Sequence, residues 1–258
     1  MIVEFKKYNI EIILVNDSED LTKKMFAEFL SIKNDNLKLI DSLERNPGGA
    51  RNVGLKYVSG NQVIFWDSDD QPNAHNVIQM SQSLTLSGYD LIIGAYNEKN
   101  NKVAVKTKAP SLNASQMLMN PGIWRVMFST SFIRQTKFVN CRIAEDQIYF
   151  ANILSLKPKI GLFHKTTYTY NRQKKGITQS DSIHRDYEAT INLFLTGNIE
   201  KSYFYDIVFF NVLISYLYRT NLKSLNKSIW ALRKAKDRYG FSAFLGITKA
   251  LFLKVLYK

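Results

Sequence analysis

Asp67-Ser68-Asp69-Asp70 carries three carboxylates directly after the apolar run Gln62-Val63-Ile64-Phe65-Trp66. Carboxylates that converge at a strand end repel one another unless a cation neutralises them, and hard oxygen ligands suit Mg²⁺ or Mn²⁺. A cation held by Asp67 and Asp69 can bridge to a diphosphate. The same four residues also read as a solvated acidic turn capping the helix that follows, and alone they leave both readings open. Other reactive side chains carry less. His75, His164 and His184 lack metal-ligand spacing. Cys141 is the single cysteine, so neither an intramolecular disulfide nor a thiolate cluster can form. Gly48 and Gly49 are not followed by a phosphate-loop pattern and read as a turn.

The acids need a frame, and hydrophobic periodicity supplies one. Ile10 to Val15 is a β-branched apolar run ending in the turn-forming Asn16-Asp17-Ser18, which predicts a buried strand and a loop. Leu21, Met25, Phe29 and Ile32 recur at three- and four-residue spacings, predicting a helix over Asp20 to Ile32. Leu37 to Ile40 predicts a strand, Asn46-Pro47-Gly48-Gly49 a turn, and Ala50 to Ser59 a short helix. The strand over 62–66 then runs into the acids, Ala74 to Ser87 reads as a helix, and Asp90 to Gly94 as a strand. Lys99 to Asn120 is polar and predicts a loop with an edge strand. Glu145 to Leu156 predicts a helix, Lys159 to Phe163 and Thr166 to Tyr170 two strands, and Arg172 to Ser182 a basic loop. Alternating strands and helices argue for an α/β fold with a mostly parallel central sheet and flanking helices. Such sheets bind ligands at the carboxyl ends of their strands, where Asp67 falls.

Taken together, Glu11 to Ser18, then Asn46-Pro47-Gly48-Gly49-Ala50-Arg51-Asn52-Val53-Gly54, then Gly60 to Asp70, resemble family-2 glycosyltransferases in wording and order. The likeness continues through Trp124-Arg125-Val126-Met127-Phe128, Glu145-Asp146 and Tyr168-Thr169-Tyr170-Asn171-Arg172, covering roughly residues 9 to 182. The resemblance implies a GT-A, Rossmann-like fold and an inverting transfer of sugar from a nucleoside diphosphate, uridine diphosphate (UDP) being expected, to an acceptor hydroxyl. It also implies residue roles. Asp17 and Arg51 match contacts on the nucleotide base side. Asp67 and Asp69 match the DxD pair, the first toward the ribose and the second toward Mn²⁺ or Mg²⁺ on the diphosphate. Asp70 is an adjacent helper on the donor side or a helix cap. Asp146 matches the catalytic base, and Glu145 orients it or the acceptor. Arg172, with Lys174 and Lys175, lies in a loop whose composition suits phosphates, although a merely solvated basic loop fits as well. Trp124 reads either as a platform for the acceptor sugar or as core.

The resemblance departs at the start, because nine residues precede Ile10 where the family normally has a strand and a P-x-Y-N turn. Three readings follow: a start downstream of the true one, a reduced strand over Met1 to Phe5, or an incomplete donor site. The last would make the protein a non-catalytic relative that binds a glycan or a partner subunit.

With 45% hydrophobic and 22% charged residues the chain is globular in composition rather than disordered. Its formal charge of +13 attracts phosphates, and from Arg219 onward there are ten Lys and Arg against one acid, Asp237. That bias, mixed with aromatics, predicts a helical region over 183–258, distinct from a catalytic domain over 1–182, that packs on the catalytic domain or lies on an anionic membrane surface. No base-reading motif supports a nucleic-acid partner. Without a secretory leader or a membrane-spanning run, the expected setting is the cytoplasm, at the inner face of the membrane, with a glycan or lipid-linked glycan as acceptor.

Overall fold

The fold is described by a computed structural model covering residues 8, 10–17, 36–100, 103–119, 121–172, 183–196, 202–219, 230, 233 and 236. Two strands, β1 (Ile12–Asn16) and β2 (Leu37–Asp41), pair in parallel with Ile12 opposite Leu37 and Asn16 opposite Asp41. The helix expected over Asp20 to Ile32 lies outside the described residues.

Helix α1 (Pro47–Leu55) starts earlier than its apolar pattern suggests, because Asn46 caps it and Pro47 suits the first turn. The Asn46 side chain accepts from the Gly49 N–H at 2.7 Å. Gly48 also meets a packing requirement. A Cβ there would lie 2.7 Å from the Val139 carbonyl oxygen and 3.3 Å from Glu145 Cβ. Gly48→Ala should therefore cost about 1–3 kcal/mol, as overpacking typically does, lowering the thermal midpoint by calorimetry. An unchanged midpoint would show that α1 can draw back freely.

The remaining described strands form a mixed sheet in the order β3 (Gln62–Ile64), β7 (Val126–Ser129), β5 (Leu91–Asn100), β8 (Ile160–Arg172), β4 (Gln71–Pro72), with β6 (Val103–Lys108) paired to β5. Only β5–β8 is parallel in this sheet, and the other pairings are antiparallel, so the sheet is less parallel than the alternating pattern suggests. Two further expectations change. The polar stretch over 99–120 holds the expected edge strand, β6, in a hairpin with β5, but also helix α3 (Ala114–Met119) where loop was expected. The two strands expected between Lys159 and Tyr170 are one strand, which stays paired to β5 across register shifts around Ala95.

Helix α2 (Ala74–Ser87) has the expected bounds. Asn73 caps its start, accepting from the Asn76 N–H at 3.0 Å, and Gly88 at φ 66° takes the left-handed turn at its end. Asp70 is therefore not the cap. Four-residue helix α4 (Thr130–Ile133) follows β7, and helix α5 (Glu145–Ser155) follows Ala144, which is held at φ 63°.

Helices α6 (Ile183–Leu195) and α7 (Tyr203–Arg219) join the core around α5. In α7 the buried residues recur as Val208/Phe209, Val212/Leu213 and Tyr216/Leu217, one face of a 3.6-residue helix. No described helix is long and apolar enough to cross a membrane. Burying side chains such as Phe194 and Phe209, which meet edge-on at 5.5 Å, contributes about 1.5–3 kcal/mol each and ties these helices into the core around α5. Beyond Arg219 only Trp230 and residues 233 and 236 are described, so the expected basic tail otherwise lies outside the described residues.

Candidate active site

The strand-end acids meet α1 and α5 through one guanidinium. Arg51, on α1, donates from Nη2 to Asp67 Oδ1 at 3.0 Å and from Nη1 to Glu145 Oε1 at 2.9 Å. Only 14% of its side chain is exposed, and its guanidinium also lies 5.5 Å from the Phe138 ring centroid. Burial alone would lower its pKa, but Glu145 and Asp67 outweigh burial and hold it above the ordinary value, so it stays charged. The next residue fastens the helix that carries it. Asn52 donates to the Phe138 carbonyl at 2.8 Å and accepts from the Phe138 N–H at 2.9 Å. This pair of hydrogen bonds and the bare Gly48 bring α1 against the chain just ahead of α5.

Ala144 turns the chain so that Glu145 and Asp146 occupy the first turn of α5, where the helix dipole favours negative charge. A left-handed non-glycine residue costs of order 1–3 kcal/mol, held here by the surrounding packing. Asp146 is half-buried, and its Oδ1 accepts from the Gln147 N–H at 2.8 Å. Burial, then the adjacent Glu145 charge, push its carboxyl up to about 7, with Arg51 pulling the other way. A carboxylate titrating near neutrality has the affinity for a proton that a general base needs.

The acidic turn itself divides into different environments. Asp67 is half-buried and shared with Arg51, whereas Asp69 is exposed, and among the described residues no hydrogen bond or ion pair engages its carboxylate. Asp70 is buried, with both oxygens occupied: Oδ2 accepts from the Tyr168 hydroxyl at 2.9 Å and Oδ1 from the Asn171 N–H at 2.7 Å. Burial raises its pKa above the ordinary aspartate value. No group of three or more His, Cys, Asp or Glu able to hold a metal occurs among the described residues. Asp67 and Asp69 nonetheless fit Mg²⁺ or Mn²⁺, which commonly take one or two carboxylates and complete their shell with substrate phosphates and water.

Asp17, just after β1, accepts from the Arg45 N–H at 2.9 Å. Arg172 is the last residue of β8, and Lys174 and Lys175 lie outside the described residues. Trp124 is 8% exposed, stacked with Tyr168 at 4.5 Å and with Tyr170 at 5.6 Å between ring centroids. Its indole thus belongs to an aromatic cluster of the core, with Tyr96 edge-on at 4.8 Å. Cys141 is buried, which pushes its thiol up to about 12 and leaves it a poor nucleophile. Sequence reasoning misses what Tyr168 and Asn171 do. Both fall in the stretch Tyr168 to Arg172 that carries the family likeness, but nothing along the chain tells of their contacts, and only the β8 register brings both onto the acidic turn.

Residues 2–146 match the family model described as Glycosyl transferase family 2. Poly(ribitol-phosphate) β-N-acetylglucosaminyltransferase TarS of Staphylococcus aureus is 22% identical over 182 residues, 67% of this chain and 32% of that protein. Over 112 residues, 42% of this chain and 43% of the relative, identity reaches 34% with the UDP-Glc:α-D-GlcNAc-diphosphoundecaprenol β-1,3-glucosyltransferase WfgD of Escherichia coli. This chain spans 27% to 60% of the length of the first curated relatives it matches. In three dimensions, S. aureus TarS 1–349 in complex with UDP-GlcNAc superposes with a TM-score of 0.65 at 19% identity, covering 92% of this chain and 75% of that one. That likeness places the α/β architecture in the GT-A class.

Proposed function

The chain belongs to glycosyl transferase family 2, and from that premise we propose that it transfers a sugar, with inversion, from a UDP-sugar to a hydroxyl of a glycan or lipid-linked glycan in surface polysaccharide synthesis. The observation that carries this reading is the Arg51 fork, which joins Asp67 on the donor side to Glu145 beside Asp146. Inverting displacement needs a base on the acceptor face and charge stabilisation at the leaving diphosphate, and these acids suit the two tasks.

Asp146 takes the proton from the acceptor hydroxyl as that oxygen attacks the anomeric carbon. Glu145, restrained by Arg51, orients the base and the acceptor. Asp17 and Arg51 serve the nucleotide side, Arg172 the phosphates, and Asp70 supports the donor turn. Trp124, expected as a platform for the acceptor sugar, is buried and instead backs Tyr168 and Tyr170 on β8. Asp67 and Asp69 would hold Mn²⁺ or Mg²⁺, which when bound supplies positive charge to the departing diphosphate. A structural neighbour, the mannosyltransferase PcManGT from Pyrobaculum calidifontis, was solved with GDP-Man and Mn²⁺, in keeping with this assignment. The basic bias after Arg219 supports a site at an anionic membrane, on the cytoplasmic face, reached by the catalytic domain over 1–182 through the region over 183–258.

Titration calorimetry with UDP should give clear binding in Mn²⁺ and at least about tenfold weaker binding in chelator, because paired carboxylates repel a diphosphate without a cation. Equal affinity in both would remove the metal assignment. Binding without hydrolysis or transfer of any UDP-sugar would instead favour a non-catalytic relative.

A further inference from the structure

We propose that Tyr168, together with Asp70 and Asn171, is a positioning device that sets the backbone of the acidic turn and so presents Asp67 and Asp69 to the donor. The proposal goes beyond the donor roles assigned above by taking Asp70 out of direct contact with the donor. It rests on the glycosyltransferase reading only for the ligand used to test it.

The buried Tyr168 hydroxyl makes two bonds to the turn, accepting from the Asp67 N–H at 3.2 Å and donating to Asp70 Oδ2 at 2.9 Å. Further along β8, Asn171 reaches the same turn twice. Its backbone N–H donates to Asp70 Oδ1 at 2.7 Å, and its side-chain amide donates to the Asp69 carbonyl at 3.0 Å. The turn is thus bonded to β8 at Asp67, Asp69 and Asp70, while the Asp69 carboxylate stays exposed. Asp70 has both carboxylate oxygens directed at β8, which suits a brace better than a phosphate or metal contact, where one oxygen at least must be available.

The anchor is itself anchored. Tyr168 has no exposed surface, stacks with Trp124 at 4.5 Å and 15° between planes, and pairs through its backbone with Tyr96 on β5. Strand β4, which leaves the turn, pairs antiparallel with β8 through Gln71–Thr169 and Pro72–Tyr168. A ligand site needs its contacting groups held within about 0.5 Å by supporting hydrogen bonds and packing, and β8 provides that support here. This also assigns Trp124 a physical task, since its ring fixes the tyrosine that fixes the turn.

Tyr168→Phe keeps the stacked ring and removes only the hydroxyl, so it isolates the bonds to the turn. In ligand-free protein, amide hydrogen exchange read by NMR should be at least about tenfold faster at Asp67 in Tyr168→Phe than in the parent, while amides in α5 keep their parent rates. UDP affinity in Mn²⁺ should fall about tenfold. Asp70→Asn should reproduce that loss, and the double variant should lose no more than either single one, because all three break the same brace. Unchanged exchange at Asp67 would overturn the proposal. So would faster exchange with parent-like UDP affinity, which separates the turn's backbone from donor binding, or additive losses in the double variant, which make Tyr168 and Asp70 independent rather than one brace. If the parent itself fails to bind UDP, the donor reading falls, and the exchange measurement alone upholds or overturns the brace. Should Tyr168→Phe fail to fold, exchange at Asp67 and UDP affinity in Asp70→Asn decide.

Discussion

Asp146→Asn should lower kcat about 10²–10⁴-fold, the usual worth of a general base, while UDP affinity in Mn²⁺ stays within about twofold of the parent. The amide preserves the side chain's shape but cannot accept the acceptor proton. Its environment also predicts the pH dependence of the parent. Burial and the Glu145 charge push the Asp146 carboxyl up to about 7. The active form is the deprotonated one, so a raised pKa moves the loss of activity upward: kcat/KM should be flat above about pH 7 and fall roughly tenfold per pH unit below it. An ordinary surface aspartate would hold activity down to about pH 4. The groups facing Asp146 that set this limb are Glu145 on its own helix, Arg51 on α1 and Asp67 after β3. Steady-state kinetics across pH 5–9 on the parent, with the variant's residual rate, checks both parts. A variant that transfers sugar at the parent rate, or a flat parent profile through pH 5, would remove Asp146 as the base.

Arg51→Ala should be the most damaging substitution to the site as a whole. It leaves Glu145, with 12% of its side chain exposed, without its cationic partner, and it frees Asp67 to repel the neighbouring acids. Removing one partner of a buried ion pair costs roughly 3–5 kcal/mol, and the partial exposure of Asp67 points to the lower end, about 3 kcal/mol. At about 2–4 °C per kcal/mol for a chain of this size, the thermal midpoint should fall on the order of 10 °C. The acid limb of kcat/KM should simultaneously move above the parent's, because the Arg51 charge lowers the Asp146 pKa more than the Gln147 N–H does. Arg51→Lys should recover part of the stability but not the full rate, since an ammonium cannot reproduce the planar fork between two carboxylates. Differential scanning calorimetry with a pH profile separates these effects. A variant with parent stability and an unmoved limb would leave Arg51 as a peripheral charge.

Much of this is legible along the chain, but unevenly. The strand before Asp67 is visible from its apolar run, and α2 is visible to both ends from its helical pattern, although its cap is Asn73 rather than Asp70. The start of helix α1 is hidden because Gly48 and Gly49 resemble a turn when viewed alone. Gly48 is required by its close approach to Val139 and Glu145, which no local pattern announces. Strand β8 looks like two pieces along the chain, while hydrogen bonding to β5 carries it through the register shifts near Ala95.

Sequence alone determined which residue types stand at strand and helix ends, because burial periodicity and capping are encoded within a few neighbouring positions. Those patterns put Asp67 and Asp69 at a strand end, and resemblance gave them, with Arg51, Glu145 and Asp146, their expected roles. Only the tertiary structure decided how they meet. Arg51 and Glu145 are 94 positions apart and Tyr168 and Asp70 are 98 apart. Their contacts depend on the β8 register and on the close approach that Gly48 and Asn52 give α1. Such pairings are set by the packing of the whole sheet, in which each strand's position is fixed by its partners, so no stretch of the chain read by itself contains them.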